Sequence, residues 1–312
     1  MNTGSGWATW NEGGTFVDNY VRESAAARVV PVFTYYMIRQ SLPGRDDGDE
    51  PRAVLSNLRN ASTMRAYLDN LRLFFERAAR FPKTRIVLHV EPDMWGYGHQ
   101  VAKNDDAASV PVAVVGDLGG LAREVVRLRD EIAPNVVLGW HVSGWGTGID
   151  LQVNDPSTKQ SSALGARAAR FYRSLGARFD ITFTDWSDRD AGFKERILGR
   201  THADAWFTPG DYTRWRYFMS AYSRKTGQRI VVWQIPLGNT ALDDSWGRYR
   251  DRHVQWLIGA GYGSRLKAMR SAGVSALLFG GGADGTTSAK TDGGYFRKRA
   301  RTYYRTGPLR LP

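Results

Sequence analysis

Apolar residues cluster in six short runs, at positions 29–37, 85–90, 136–140, 179–183, 230–234 and 274–279. Each run is nearly continuous rather than alternating, the pattern of a strand covered on both faces. Between them lie stretches with helical spacing of apolar positions, at 61–79, 118–132, 162–175, 212–225 and 265–272, with a first helix at 16–26 and a last at 295–304. Strands that alternate with helices imply a parallel sheet covered by helices, an α/β fold. The segments from helix to strand are short ("RFPKT", "APN", "LGAR", "KTGQ", "RSAG"). Those from strand to helix are long: 38–60, 92–116, 141–161, 184–211, 235–252 and 280–294. In parallel α/β folds the loops after the strands build the active site, so the asymmetry predicts a (β/α) barrel of TIM type with its site at the strands' C-terminal ends. Six strands are clear where a closed barrel has eight, and the chain opens on a loop, "NTGSGWATWNEGG". The barrel is therefore expected to be distorted or incomplete, with up to eight strands. Neither a linker nor a repeat interrupts the pattern, which predicts a single catalytic domain over 1–312.

Polar and aromatic residues gather where the strands end. "RIVLHVEPDMWGYG" carries His89, Glu91, Asp93, Trp95 and Tyr97; alternate strand residues share a face, so His89 and Glu91 point the same way. "GWHVSGWGTG" adds His141 and Trp145, and "TFTDWSDRD" adds Asp185, Trp186 and Asp188. "VVWQIPLGN" offers Gln234, "FGGGADGTT" offers Asp284, and "PVFTYYMIRQ" offers Tyr36. Cleaving a glycosidic bond needs two carboxyl groups, one protonated to donate to the leaving oxygen and one ionised as base or nucleophile. Glu91, flanked by aromatics, is expected to have a pKa raised by desolvation and to be the proton donor. Asp185 is expected as base or nucleophile, with Asp93 and Asp188 as substitutes. Tyr36, His89, Trp95, Tyr97, His141, Trp145, Trp186, Gln234 and Asp284 are expected to bind substrate, the tryptophans as partly exposed stacking platforms. A carboxylate that merely caps a loop or pairs with an arginine is the alternative at each acidic position.

Composition narrows the partners. The chain of 312 residues has no cysteine, so disulfides and thiol catalysis are excluded. The net charge of +12 comes from 43 Lys and Arg spread along helical stretches, not from a compact basic run. That spread argues against nucleic acid as partner and leaves an arginine-rich surface or an acidic glycan. No apolar run reaches membrane-spanning length. His89 and His141 share no metal-ligand spacing motif, so neither metal nor cofactor is expected. The glycines of "FGGGADG" do not precede a helix as a nucleotide-binding loop would.

"VLHVEPDMWG" resembles the Glu-Pro-Asp strand end of glycoside hydrolase family 6, the cellulases and cellobiohydrolases with a distorted barrel. "NTGSGWATWN", "PVFTYYMIRQ", "WQIPLGN" and "LLFGGGADGTT" look like segments of secreted proteins of soil bacteria, which often carry cellulose-binding modules. The resemblance implies a secreted cellulase-like hydrolase of β-linked glucan, with a carbohydrate-binding module attached in some full-length relatives. Family 6 carries an acid-donor aspartate after an early strand; here that strand has tyrosines and no acid, so its mechanism does not transfer. Hydrolysis of mannan, chitin or an acidic glycan, and a polysaccharide-binding barrel without catalysis, are the rival readings.

Overall fold

In the computed structural model, residues 12–309 are described. The loop "NTGSGWATWN" and the question of a strand before 16–26 lie outside them, apart from the helix that follows. The chain divides into two compact units, Met1–Gly148 with Arg167–Phe183, and Ile149–Ala166 with Thr184–Pro312.

The first unit holds strands β1 (Val32–Tyr35), β2 (Ile86–Val90) and β3 (Val136–His141), and β4 (Ile181–Asp185) as far as Phe183. They lie in the order β1-β2-β3-β4, all parallel, with Thr34 beside His89, His89 beside Gly139 and Gly139 beside Ile181. Helix α3 (Ala61–Ala78) buries Met64, Tyr67, Leu71, Phe74, Phe75 and Ala78, one stripe at helical spacing, and starts where the Asn60 side chain accepts from the Thr63 amide. Helix α5 (Leu118–Ile132) is capped the same way by Asp117.

The second unit pairs β5 (Ile230–Ile235) with β6 (Val274–Phe279) in parallel, with register shifts after Ile230 and after Val232. Helix α9 (Pro209–Thr226) begins in a reciprocal capping box between Thr208 and Asp211 and ends at Gly227, whose φ of 72° is the left-handed conformation that glycine tolerates. Among the described residues the fold is thus α/β with six parallel strands, as the apolar runs predict.

Two boundaries differ from the sequence pattern. The first strand begins at Val32, because Val29 and Val30 are exposed and follow a helix end where Arg28 is left-handed. The stretch after β2, read as loop, is helix α4 (Pro92–Val101). Pro92 presets the first helical φ. Gly96 and Gly98, which look like helix breakers, are instead contact positions: a Cβ at Gly96 would come within 2.4 Å of Trp145, and one at Gly98 within 2.6 Å of Leu118. The loops 38–60 and 184–211 likewise contain helices α2 (Glu50–Leu58), α7 (Ala191–Arg196) and α8 (His202–Ala205).

Candidate functional site

Glu91 closes β2 and has a φ of 47°. A non-glycine residue in that region is strained, and such strain is retained where the surroundings over-determine it. Here its own amide donates to the Tyr35 carbonyl at 2.8 Å. Its Oε1 accepts from the amides of Met37 at 2.7 Å and Ile38 at 3.1 Å. The loop bearing those amides is held in turn by buried Asn57, whose side chain donates to the carbonyls of Ile38 and Ser41 and accepts from the Gly44 amide. Glu91 is fully buried, and its Oε2 has no hydrogen-bond partner among the described residues. Burial lifts the carboxyl to about 8, against the pull of the two amides, and the charge of Asp93 adds to the rise. At neutral pH Glu91 is therefore mostly a carboxylic acid, with its proton on the unpartnered oxygen.

Asp93, in the first turn of α4, is half-buried and accepts a hydrogen bond from the Tyr36 hydroxyl. Burial and then Asp93 raise the Tyr36 hydroxyl, so it stays a donor. One helical turn on from Asp93, the half-buried Tyr97 donates to Glu50 Oε2 at 2.8 Å. Arg39 Nε stands 3.5 Å from the other oxygen of Glu50. The Tyr97 ring lies 4.7 Å from that of the half-buried Trp145. The first unit therefore brings Tyr36, Glu91, Asp93, Tyr97 and Trp145 of the predicted set together, and adds Glu50 and Arg39. Those two were hidden because "RQSLPGRDDGDEPR" reads as a charged loop, although Asp-Glu-Pro is also a helix-start signal.

The remaining expectations in this unit need correction. Trp95 is buried and cannot be a platform: its Nε1 donates to the Val90 carbonyl at 2.8 Å, and its ring packs on Trp140 and Phe179. His89 and His141 are also buried, Nε2 of one 3.0 Å from Nδ1 of the other. Burial, then His141, depresses His89 well below the usual imidazole range, so His89 meets His141 as a neutral ring. Phe183 stacks on His89 at 4.1 Å, and Gly139 makes room for that ring. Both histidines belong to the interior of the sheet face, not to a substrate surface.

In the second unit Asp185 ends β4 and is half-buried, as is Asp188, which pairs with Arg189. Gln234, with φ of 52°, sits in the register shift of β5. A Cβ at Gly282 would fall 2.2 Å from its Nε2 and 2.9 Å from Asp188 Cβ, so Gln234, Asp188 and Gly282 meet closely. Asp284 is exposed. Trp186 is buried among Phe207, Tyr212, His253 and Trp256, a core tryptophan rather than the expected platform. Burial lowers the Lys194 amine, although Asp188, Asp251, Asp150 and Asp185 all draw it upward.

Two buried carboxylates to which the sequence pattern assigns no role complete this unit. Asp190 accepts from the amides of Gly238 and Thr287, each at 2.8 Å. Asp251 accepts from the amides of Ala191 and His253 and lies 2.6 Å from His253 Nδ1. Burial and then the charge of Asp251 lift Asp190 to about 7. Burial pushes Asp251 up as well, but His253 and the two amides outweigh it and hold it below the usual range.

No protein-family model matches the chain. No curated protein matches it either. Among solved structures it is similar to an engineered protein, Northeast Structural Genomics Consortium target OR128, at 16% identity and TM-score 0.53 over 92% of this chain and 55% of that one. It is also similar to a GH6 enzyme from Orpinomyces sp. Y102, at 15% identity and TM-score 0.39 over 75% of this chain and 58% of that one. A third is the endoglucanase CEL6B from Humicola insolens, at 11% identity and TM-score 0.41 over 75% of this chain and 64% of that one. The chain thus spans 55–64% of the length of these three structures. The first likeness is one of fold alone, and the other two are too distant to carry an argument.

Proposed function

We propose that the protein is a glycoside hydrolase acting on β-linked glucan, cellulose first, and that it draws its acid from the Glu91–Asp93 pair. The observation that carries this reading is the fully buried Glu91, its carboxyl lifted by burial to about 8, two residues before a half-buried Asp93 that accepts from Tyr36 and lies one helical turn from Tyr97, which packs on Trp145. Protonating a glycosidic oxygen at neutral pH requires a carboxyl group that is still an acid there. Because Glu91 is closed off, the group that meets the sugar is Asp93, with the buried Glu91 two residues before it in the chain. The second carboxyl group that hydrolysis needs is proposed to be Glu50, held in the same unit by the Tyr97 hydroxyl. Secretion belongs to the same proposal and rests on the sequence resemblance; action without metal or cofactor belongs to it too and rests on the lack of a metal-ligand spacing motif at His89 and His141.

The test is release of reducing sugar from carboxymethylcellulose, laminarin, glucomannan and chitin. Asp93→Asn should lower the rate on the preferred polymer by roughly 10²–10⁴-fold, the range for loss of general acid catalysis. A second reading, a polysaccharide-binding barrel without hydrolysis, is favoured by the two amides that fully occupy Glu91 Oε1 in a structural manner. Wild-type protein that binds these polymers and releases no sugar would establish it in place of the first.

A further inference from the structure

The residue with the most exposed aromatic ring in the loops after the strands is Trp246, at 66%. It stands in a tight turn, Ser245-Trp246-Gly247-Arg248, closed by the Arg248 amide donating to the Ser245 carbonyl at 2.9 Å. Gly247 has φ of 75°, so the turn is of type II and Trp246 holds its first corner. Such a corner accepts almost any residue; nothing in the turn asks for an indole, and an indole exposed to water is disfavoured.

The indole is nevertheless held in place. Gly285, itself at φ of 77°, lies under the ring: a Cβ there would be 2.3 Å from Trp246 Cζ2. The Gly247 amide donates to the Gly285 carbonyl at 2.9 Å, tying turn to support. The ring centroid lies 6.5 Å from that of the buried Phe193. The turn is braced by Asp243, which accepts from the Ser245 amide and hydroxyl and stands 3.5 Å from Arg248. The next strut is Arg250 on Asp244 at 2.6 Å. One face of a rigid, flat apolar ring is thus offered to solvent, and the rim of the turn carries Asp243, Ser245 and Arg248, with Asp284 next in chain to Gly285.

We infer that Trp246 is a binding platform for one pyranose ring of a neutral β-linked glycan. A pyranose with equatorial substituents presents a flat C–H face of about the area of an indole, edged by hydroxyls. The apolar face matches the ring, and the hydroxyls find carboxylates, a hydroxyl and a guanidinium at the rim. A protein partner would call for a broader apolar surface around the anchor than this charged and hydroxylic rim provides. Support by Gly285 under one face, tied to the turn through the Gly247 amide, keeps the ring ordered before binding, so little freedom is lost on contact.

The choice of ligand rests on the carbohydrate reading above, but the test reads binding and not hydrolysis. Wild type, Trp246→Ala and Gly285→Ala are run in native gels containing hydroxyethylcellulose, barley β-glucan or glucomannan, with melting temperature as the folding control. The wild type should be retarded by at least one polymer. Trp246→Ala should weaken binding about tenfold or more at an unchanged melting temperature. Gly285→Ala, which keeps the indole but displaces it, should also weaken binding. Equal retardation of wild type and Trp246→Ala, or no retardation of wild type by any polymer, overturns the platform. Trp246-dependent retardation without sugar release would leave the platform standing and remove hydrolysis.

Discussion

Each unit buries carboxylates after a strand, and the two clusters differ in how far those groups are satisfied. In the second unit all four oxygens of Asp190 and Asp251 are engaged, by the amides of Gly238, Thr287, Ala191 and His253 and by the His253 ring. Those partners come from four separate stretches of chain, so the cluster is a knot that ties loops together. In the first unit Glu91 spends one oxygen on two amides and leaves the other bare, while Asp93 is open to solvent on one side. Burial raises one acid in each place, to about 8 for Glu91 and about 7 for Asp190. A raised carboxyl therefore does not mark function by itself. What separates the clusters is the unused bonding capacity beside a half-open neighbour.

The largest effect should fall on the knot. Asp190→Ala would strand two buried amides and release the loops at 238 and 287, and leaving such donors unpaired costs about 3 kcal/mol or more. Glu91→Gln keeps an oxygen for the Met37 and Ile38 amides and puts an NH₂ where the proton was, so it should cost about 1 kcal/mol. Urea unfolding at pH 6 ranks the two. If Glu91→Gln is the more damaging, the open cluster is the structural one and the comparison is reversed.

A smaller effect concerns pH. Glu91 and Asp190 hold protons in the folded chain that they release in the unfolded one, Glu91 between about 4.5 and 8 and Asp190 between about 3.8 and 7. Folded protein then binds more protons across that window, so stability is highest at its acid end and falls as pH rises. Asp251, lowered in the fold, acts in the opposite sense, but its contribution is lost only as pH drops below the ordinary aspartate range. Between pH 5 and 8 the wild type should lose stability on the order of a few kcal/mol, and Glu91→Gln should lose less, with nothing further above pH 7. A variant with the full wild-type slope would mean that Glu91 is ionised in the fold.

This contrast between the clusters was only partly legible in the sequence. The strands were plain because buried parallel strands are apolar throughout, and Glu91 and Asp93 stood out because they end such a run. The knot was hidden: Asp190 and Asp251 look like any loop aspartates, and their partners are main-chain amides, which carry no residue signature. The tryptophans misled for a related reason. Trp95 and Trp186 follow strands as surface residues would, yet a helix after β2 turns one inward and an aromatic cluster encloses the other. Trp246, exposed on its turn, has no strand beside it in sequence to announce it.

The smallest effect tests whether the open cluster extends to Glu50. Tyr97→Phe removes one hydroxyl and leaves the ring, so its 4.7 Å contact with Trp145 should persist. The lost hydrogen bond runs to a carboxylate that is 46% exposed and has Arg39 beside it, so water and the guanidinium can replace the donor. The stability loss should stay under about 1 kcal/mol. If Glu50 is a working carboxyl group, the hydroxyl fixes the direction of its Oε2, and the rate of sugar release should fall several-fold while the substrate concentration at half-maximal rate barely moves, because the stacking surface is intact. A rate that keeps its wild-type value at the same small stability loss would make Glu50 an anchor for its loop, as Asp190 is, and confine the open cluster to Glu91, Asp93 and Tyr36.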